Sequence, residues 1–168
     1  TYDFIRKGGF RHVLIVTNRP AIANSWYDDF VKFIKWQEPY MFFISETDSL
    51  KGSGALSRDE YLKALSNFNH PDRSDLKQIA FVSLQDLKGS VSFGGHIEKL
   101  QWVAGNKWDL LVVDEAHEGV DTSKTDWAFS RIIRKFTLHM SGTPFKAIAN
   151  SKFSAEQIYN WSYADEQE

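Results

Sequence analysis

Residues 109–119 read DLLVVDEAHEG, an apolar run that ends abruptly in Asp114, Glu115, His117 and Glu118. An unbroken oily run that ends in Val112 and Val113 reads as a strand covered on both faces, as strands of parallel sheets are. Ionisable groups at the tip of such a strand stand at the carboxyl edge of a sheet, where open parallel sheets bind their ligands.

Four more β-rich runs surround it, HVLIVT (12–17), YMFFIS (40–45), QIAFVS (78–83) and FTLHM (136–140), and four of the five are nearly continuous in apolar character. Helical spacing fills the gaps. Ile22, Trp26, Phe30, Phe33 and Ile34 recur along 20–36, with Pro20 suited to a first helical turn and Pro39 beyond the end. Ser57 and Glu60 form a capping box ahead of Tyr61, Leu62 and Leu65. Ile97, Leu100, Val103 and Ala104 predict a helix over 95–106 that Gly105 would close, and Trp127, Phe129, Ile132 and Ile133 predict another over 125–135. Strand and helix alternate, so the expected fold is α/β: a parallel sheet of about five strands with helices on both faces. The segments 46–56 and 67–75 read as polar loops, and 154–168 reads as a short helix, opened by Ser154 and Gln157, that leaves the domain. The domain proper is expected to span 1–150, with 151–168 as the exit segment.

Bulk properties narrow the function classes. The chain has 168 residues, 42% of them hydrophobic and 15% aromatic, which suits one globular domain with a real core. A net charge of −2 argues against a strongly electrostatic nucleic-acid clamp and leaves only local basic patches. Cysteine is absent, which excludes disulfides and thiolate metal sites and favours a reducing compartment. No stretch is long and apolar enough for a membrane span and no signal pattern opens the chain, so a cytoplasmic setting is expected. Thr1 in place of a starting Met points to a piece of a longer polypeptide.

Polar stretches follow four of the five runs: TNRP (17–20), SLQ (83–85), DEAH (114–117) and SGTP (141–144). Four on one expected edge define a site. From average residue usage DEAH arises on the order of once per thousand chains of this length, and less often directly after an apolar strand. A strand-end Asp can hold Mg²⁺, often through water, and a neighbouring Glu can orient or deprotonate a water. SGTP is either a plain turn or a pair of hydroxyls offered to the neighbouring strand tip. Asn18 and Arg19 fit a phosphate grip at a helix start as well as they fit an Asn cap before Pro. Ser83 and Gln85 fit either a backbone-phosphate contact or a capped turn. His12, His70, His96 and His139 show no metal-ligand spacing, and the aromatic stripes read as core.

In this order the four stretches resemble the first RecA-like motor domain of superfamily-two helicases and translocases, and in particular the DEAH-type helicase subunits of type III restriction enzymes. HVLIVTNRPAIANSW looks like motif Ia, FVSLQDL like motif Ib, WDLLVVDEAHEG like motif II and TLHMSGTPF like motif III. The likeness covers roughly residues 10–146. It implies that Asp114 helps coordinate the Mg²⁺ of bound ATP and that Glu115 acts on the hydrolytic water. It implies too that His117 bridges toward motif III, and that Ser141 and Thr143 couple hydrolysis to movement. Thr17, Asn18 and Arg19, with Ser83 and Gln85, would then touch nucleic-acid backbone phosphates, DNA first among them.

One part of the pattern is missing. A phosphate-cradling loop needs Gly-Lys-Ser/Thr at a helix start, and no Gly-Lys pair occurs in the chain. Tyr2 and Ile5 suit one helical face that Gly8 or Gly9 would end, so residues 1–7 read as the last turns of the helix after that loop. The expectation is a RecA-like domain truncated at its N-terminus, dependent on an upstream phosphate loop and a second RecA-like domain, and inactive alone. A nuclease or modification subunit is a further partner that the resemblance allows. Two other readings stay open: a metal-dependent hydrolase ligating through Asp114, Glu115, His117 and Glu118, and a non-catalytic α/β interaction module. The motor reading requires Glu115 and Thr143 to face one shared cleft.

Overall fold

The computed structural model describes residues 1–36, 41–67, 76–96, 98–114 and 122–140. Five strands form one sheet: β1 (His12–Thr17), β2 (Met41–Ser45), β3 (Lys77–Ser83), β4 (Lys107–Asp114) and β5 (Ile133–Met140). Their spatial order is β2-β3-β1-β4-β5, and every pairing is parallel. Among the described residues six α-helices accompany them: α1 (Tyr2–Lys7), α2 (Ala23–Phe33), α3 (Arg58–Asn67), α4 (Leu84–Gly89), α5 (Gln101–Gly105) and α6 (Thr122–Ser130). The expected α/β parallel sheet of five strands is therefore present, and all five runs read as strands are strands.

Each inner strand feeds two cores because successive side chains alternate between faces. Val13 and Ile15 of β1, Ile79 and Phe81 of β3, and Leu110 and Val112 of β4 pack with Tyr2 and Ile5 of α1 and with Ala23, Tyr27 and Phe30 of α2. Leu14, Val16, Ala80, Val82, Leu111 and Val113 point the other way, against Tyr61, Leu87, Val103 and Ala128 from α3 to α6. Burying each such aliphatic side chain stabilises the fold by roughly 1.5–3 kcal/mol. The layering follows crossover hand. The β1→β2 connection runs one way across the sheet and uses α2, while the three later connections run back and use α3 to α6 on the opposite face. A uniform right-handed crossover requires that split.

Local signals hold where they are short. Ser57 N–H donates to Glu60 Oε2 at 2.7 Å and Glu60 N–H to Ser57 Oγ at 3.3 Å, the reciprocal capping box expected at α3. Residues 2–7 are helical with Tyr2 and Ile5 buried, and Gly9 follows at a left-handed φ of 67°.

Two helices depart from expectation. The predicted 95–106 helix is only α5, Gln101–Gly105. Upstream of it, Gly95 N–H bonds the Ser90 carbonyl at 2.8 Å and His96 N–H the Gly89 carbonyl at 3.0 Å, while the Ser90 hydroxyl holds the Lys99 carbonyl. These bonds fold the segment back on α4, and the helix restarts at Leu100, which takes a left-handed φ of 59°. The predicted 125–135 helix starts earlier, at Thr122, and stops at Ser130. Arg134 ends it by donating to the carbonyls of Phe129 and Ile132, and pairing with β4 draws Ile133 onward into a strand. No helix among the described residues is long and apolar enough to cross a membrane. The expected loop at 67–75 falls mostly outside the described residues, and the exit helix at 154–168 wholly outside them.

Candidate functional site

Strand register sets the site. Thr17, the last residue of β1, pairs with Ser83 of β3 on one side and with Asp114 of β4 on the other, and Asp114 pairs with Met140 of β5. Four strands therefore end level at the carboxyl edge. The edge is lined with hydroxyls taken out of water: Thr17, Ser45, Thr47 and Ser83 are all buried. Each is hydrogen-bonded. Thr17 Oγ1 accepts the Arg19 N–H at 3.2 Å, Ser83 Oγ caps α4 by accepting the Asp86 N–H at 3.0 Å, and Ser45 Oγ donates to the Phe81 carbonyl at 3.0 Å. The first two bonds turn the chain as it leaves β1 and β3, and the third ties the end of β2 to β3.

Asp114 is half-buried at the tip of β4. The indole N–H of Trp26, on the first turns of α2, donates to its Oδ2 at 3.2 Å. Trp26 is held in turn from α1: the Tyr2 hydroxyl donates to the Trp26 carbonyl at 2.6 Å, and the two rings meet edge to face at 5.6 Å. Burial pushes the Tyr2 hydroxyl far above its ordinary range, with the charge of Asp29 adding to the effect, so it remains a neutral donor. The N-terminus of α1 reaches the same edge, where Thr1 Oγ1 donates to Met140 Sδ at 3.0 Å. A cavity of about 600 Å³ opens there between α1, α2 and β5, lined among others by Tyr2, Ser25, Trp26, Asp29, Phe33 and Met140.

Of the residues singled out in the sequence, Asp114, Thr17 and Ser83 come together at this edge. Asn18 is half-buried, while Arg19 and Gln85 are exposed. Thr17 and Ser83 use their hydroxyls on the backbone, so the groups turned to solvent in the two stretches are those of Arg19 and Gln85. Glu115, His117, Glu118, Ser141 and Thr143 lie outside the described residues, and so does the shared cleft expected of Glu115 and Thr143. Each of the two stretches begins directly after a described strand end, Asp114 and Met140, and these two are register partners on adjacent strands.

Trp26 is the residue that sequence reasoning missed. It sits at core spacing along α2, within the apolar stripe. The available signal was its place: one turn into the helix that leaves β1, hence at the ligand edge, with a polar N–H on an otherwise apolar ring. The opposite end of the sheet carries a different carboxylate. Asp109 Oδ2 accepts the N–H groups of Arg11 at 2.9 Å and His12 at 3.1 Å, stitching β4 to the start of β1. Partial burial raises its pKa, but the two N–H donors and the charge of Lys135 outweigh burial and leave it below the ordinary value.

For a divalent cation the fit is that of an open site. Asp114 offers a hard carboxylate at an accessible edge, the ligand type Mg²⁺ prefers when substrate phosphates and water complete its shell. Among the described residues no group of three or more His, Asp or Glu side chains is placed to hold a metal.

Comparison with known proteins agrees with this architecture. The family model described as type III restriction enzyme, res subunit, matches residues 1–146. A putative type II restriction enzyme and methyltransferase C-terminus from Mycoplasma pneumoniae is 26% identical over 99% of this chain. The chain spans about a quarter of that curated relative, 26% of its length. Among solved structures, the Sulfolobus solfataricus SWI2/SNF2 ATPase core in complex with double-stranded DNA superposes with a TM-score of 0.52 at 14% identity, over 90% of this chain and 25% of that one. The UvsW helicase of bacteriophage T4 overlaps more loosely, with a TM-score of 0.40 at 16% identity, over 86% of this chain and 44% of that one. With a RecA-like parallel sheet and a family match that runs from α1 through the end of β5, the chain belongs to the family of type III restriction enzyme res subunits.

Proposed function

We propose that this chain is part of the first motor domain of an ATP-dependent DNA helicase or translocase of the restriction-enzyme type. The observation that carries the reading is the level carboxyl edge, where Thr17, Asp114 and Met140 are register partners on three adjacent strands. Motifs Ia, II and III leave the sheet from those three positions.

Bound Mg²⁺ and ATP supply the phosphoanhydride chemistry. Asp114 would hold the metal, directly or through water, and Glu115 would orient a water and take up its proton. His117, Ser141 and Thr143 would couple hydrolysis to movement. Arg19, Asn18 and Gln85 touch DNA phosphates without reading bases, with Thr17 and Ser83 holding the turns that present them. DNA as the partner draws support from the Sulfolobus ATPase core, which was solved with double-stranded DNA. A phosphate cradle, for which this chain offers no Gly-Lys pair, and a second RecA-like domain would complete the site. On this reading the isolated chain hydrolyses negligible ATP.

The test is DNA-stimulated ATP hydrolysis by a longer polypeptide that carries this chain, with Glu115→Gln as control. Hydrolysis lost in the variant supports the motor; hydrolysis unchanged overturns it. Robust DNA-stimulated turnover by residues 1–168 alone would refute the dependence on an upstream loop.

A further inference from the structure

We propose that Trp26 is a positioning residue for Asp114, its indole N–H fixing the plane of the carboxylate that holds the metal; this rests on the metal-holding role given to Asp114 above. The bond joins residues 88 apart in sequence, one on α2 and one at the tip of β4. An Asp on a strand tip turns broadly about its last torsion, because an sp³–sp² bond has shallow wells. A donor on Oδ2 removes that freedom.

Trp26 is suited to the task by what it cannot do. Indole is a donor only, so it neither competes for a cation nor swaps roles with the carboxylate. Its N–H meets a charged acceptor, which makes the bond stronger than a neutral one. The ring is itself immobilised: Tyr2, 5% exposed, holds the Trp26 carbonyl through its hydroxyl and presses edge-on against the indole. The chain Tyr2–Trp26–Asp114 thus runs from α1 through α2 to the tip of β4. Outer-shell partners of this type orient metal ligands, and their loss weakens metal binding by roughly 10- to 100-fold.

The experiment measures Mn²⁺ binding by electron paramagnetic resonance in the full-length polypeptide with a non-hydrolysable ATP analogue. Trp26→Phe keeps the ring and deletes the N–H. The expected result is Mn²⁺ affinity weakened about tenfold, with metal-free nucleotide affinity unchanged, while Asp114→Ala loses the Mn²⁺ site. Wild-type Mn²⁺ affinity in Trp26→Phe, with the site lost in Asp114→Ala, overturns the positioning role and leaves the reading of Asp114 intact. Wild-type affinity in Asp114→Ala overturns that reading itself. Should Trp26→Phe fail to fold, the indole N–H resonance of Trp26 decides. It is expected downfield in the unmutated protein, moved upfield by Asp114→Ala and broadened by Mn²⁺. A resonance indifferent to Asp114→Ala overturns the proposal.

Discussion

β1 and β5 run parallel in one sheet with only β4 between them, yet their surroundings are opposite. All of β1 from Val13 to Thr17 is buried, whereas no residue of β5 is; Ile133 and Phe136 are 55% and 61% exposed. β1 has a partner on each side and helices on both faces. β5 pairs with β4 alone among the described residues, and Phe136 meets Phe10 at 6.1 Å, which in turn meets Phe4 at 5.6 Å on the exposed flank of α1. Arg134, Lys135 and His139 interrupt β5 with polar groups, as edge strands do to resist stray pairing. Apolar content therefore marks a strand but does not say how deep it lies; neighbours decide that.

Stability measurements can break or sharpen this contrast. Leu14→Ala removes a fully buried side chain from β1 and should cost about 3 to 4 kcal/mol in urea unfolding. A cost near that of a surface substitution would mean that β1 is not the central strand. Asp109→Ala unties β4 from the N-terminal end of β1 by removing the acceptor of two backbone N–H groups, and about 2 kcal/mol is expected from the same measurement. Ser57→Ala deletes one half of the capping box on α3, for which thermal unfolding should report a loss of about 1 kcal/mol.

A subtler effect involves His12, whose Nδ1 lies 2.7 Å from Gln78 Nε2 between β1 and β3. Burial lowers its pKa below the ordinary 6.5, an effect that nearby Asp109 partly offsets. Between the lowered value and 6.5 the unfolded chain binds more protons than the folded one. Its contribution to stability is therefore whole above that window and declines as the pH falls through it. Equilibrium unfolding at stepped pH should show this slope, and His12→Gln should flatten it. Phe136→Ser on β5 closes the series: a change within about 0.5 kcal/mol is expected, and a large loss would show that the exposed edge is a core in disguise.

Much of the fold was legible because its signals are local. Oily runs five or six residues long, a capping box and a glycine pair after a short amphipathic turn act within a few residues of themselves, and the structure honours them. The failures came where distant bonds prevailed. Helical spacing over 95–106 yielded to hydrogen bonds from Gly95, His96 and Ser90 that tie the segment to α4, and spacing over 125–135 yielded to pairing with β4. At the site, the acidic tip of β4 stands out because DEAH directly after an apolar strand rarely arises by chance. Trp26 does not, because an indole at core spacing carries no mark of the carboxylate it will meet.

By itself the sequence determined the alternation of strands and helices, the parallel class and the edge at which polar groups gather, since burial and backbone geometry act along the chain at short range. Only the tertiary structure decided the order β2-β3-β1-β4-β5, the exposure of β5 and the meeting of Trp26 with Asp114. Those depend on crossover hand and on contacts between residues far apart in the chain, which no local pattern encodes.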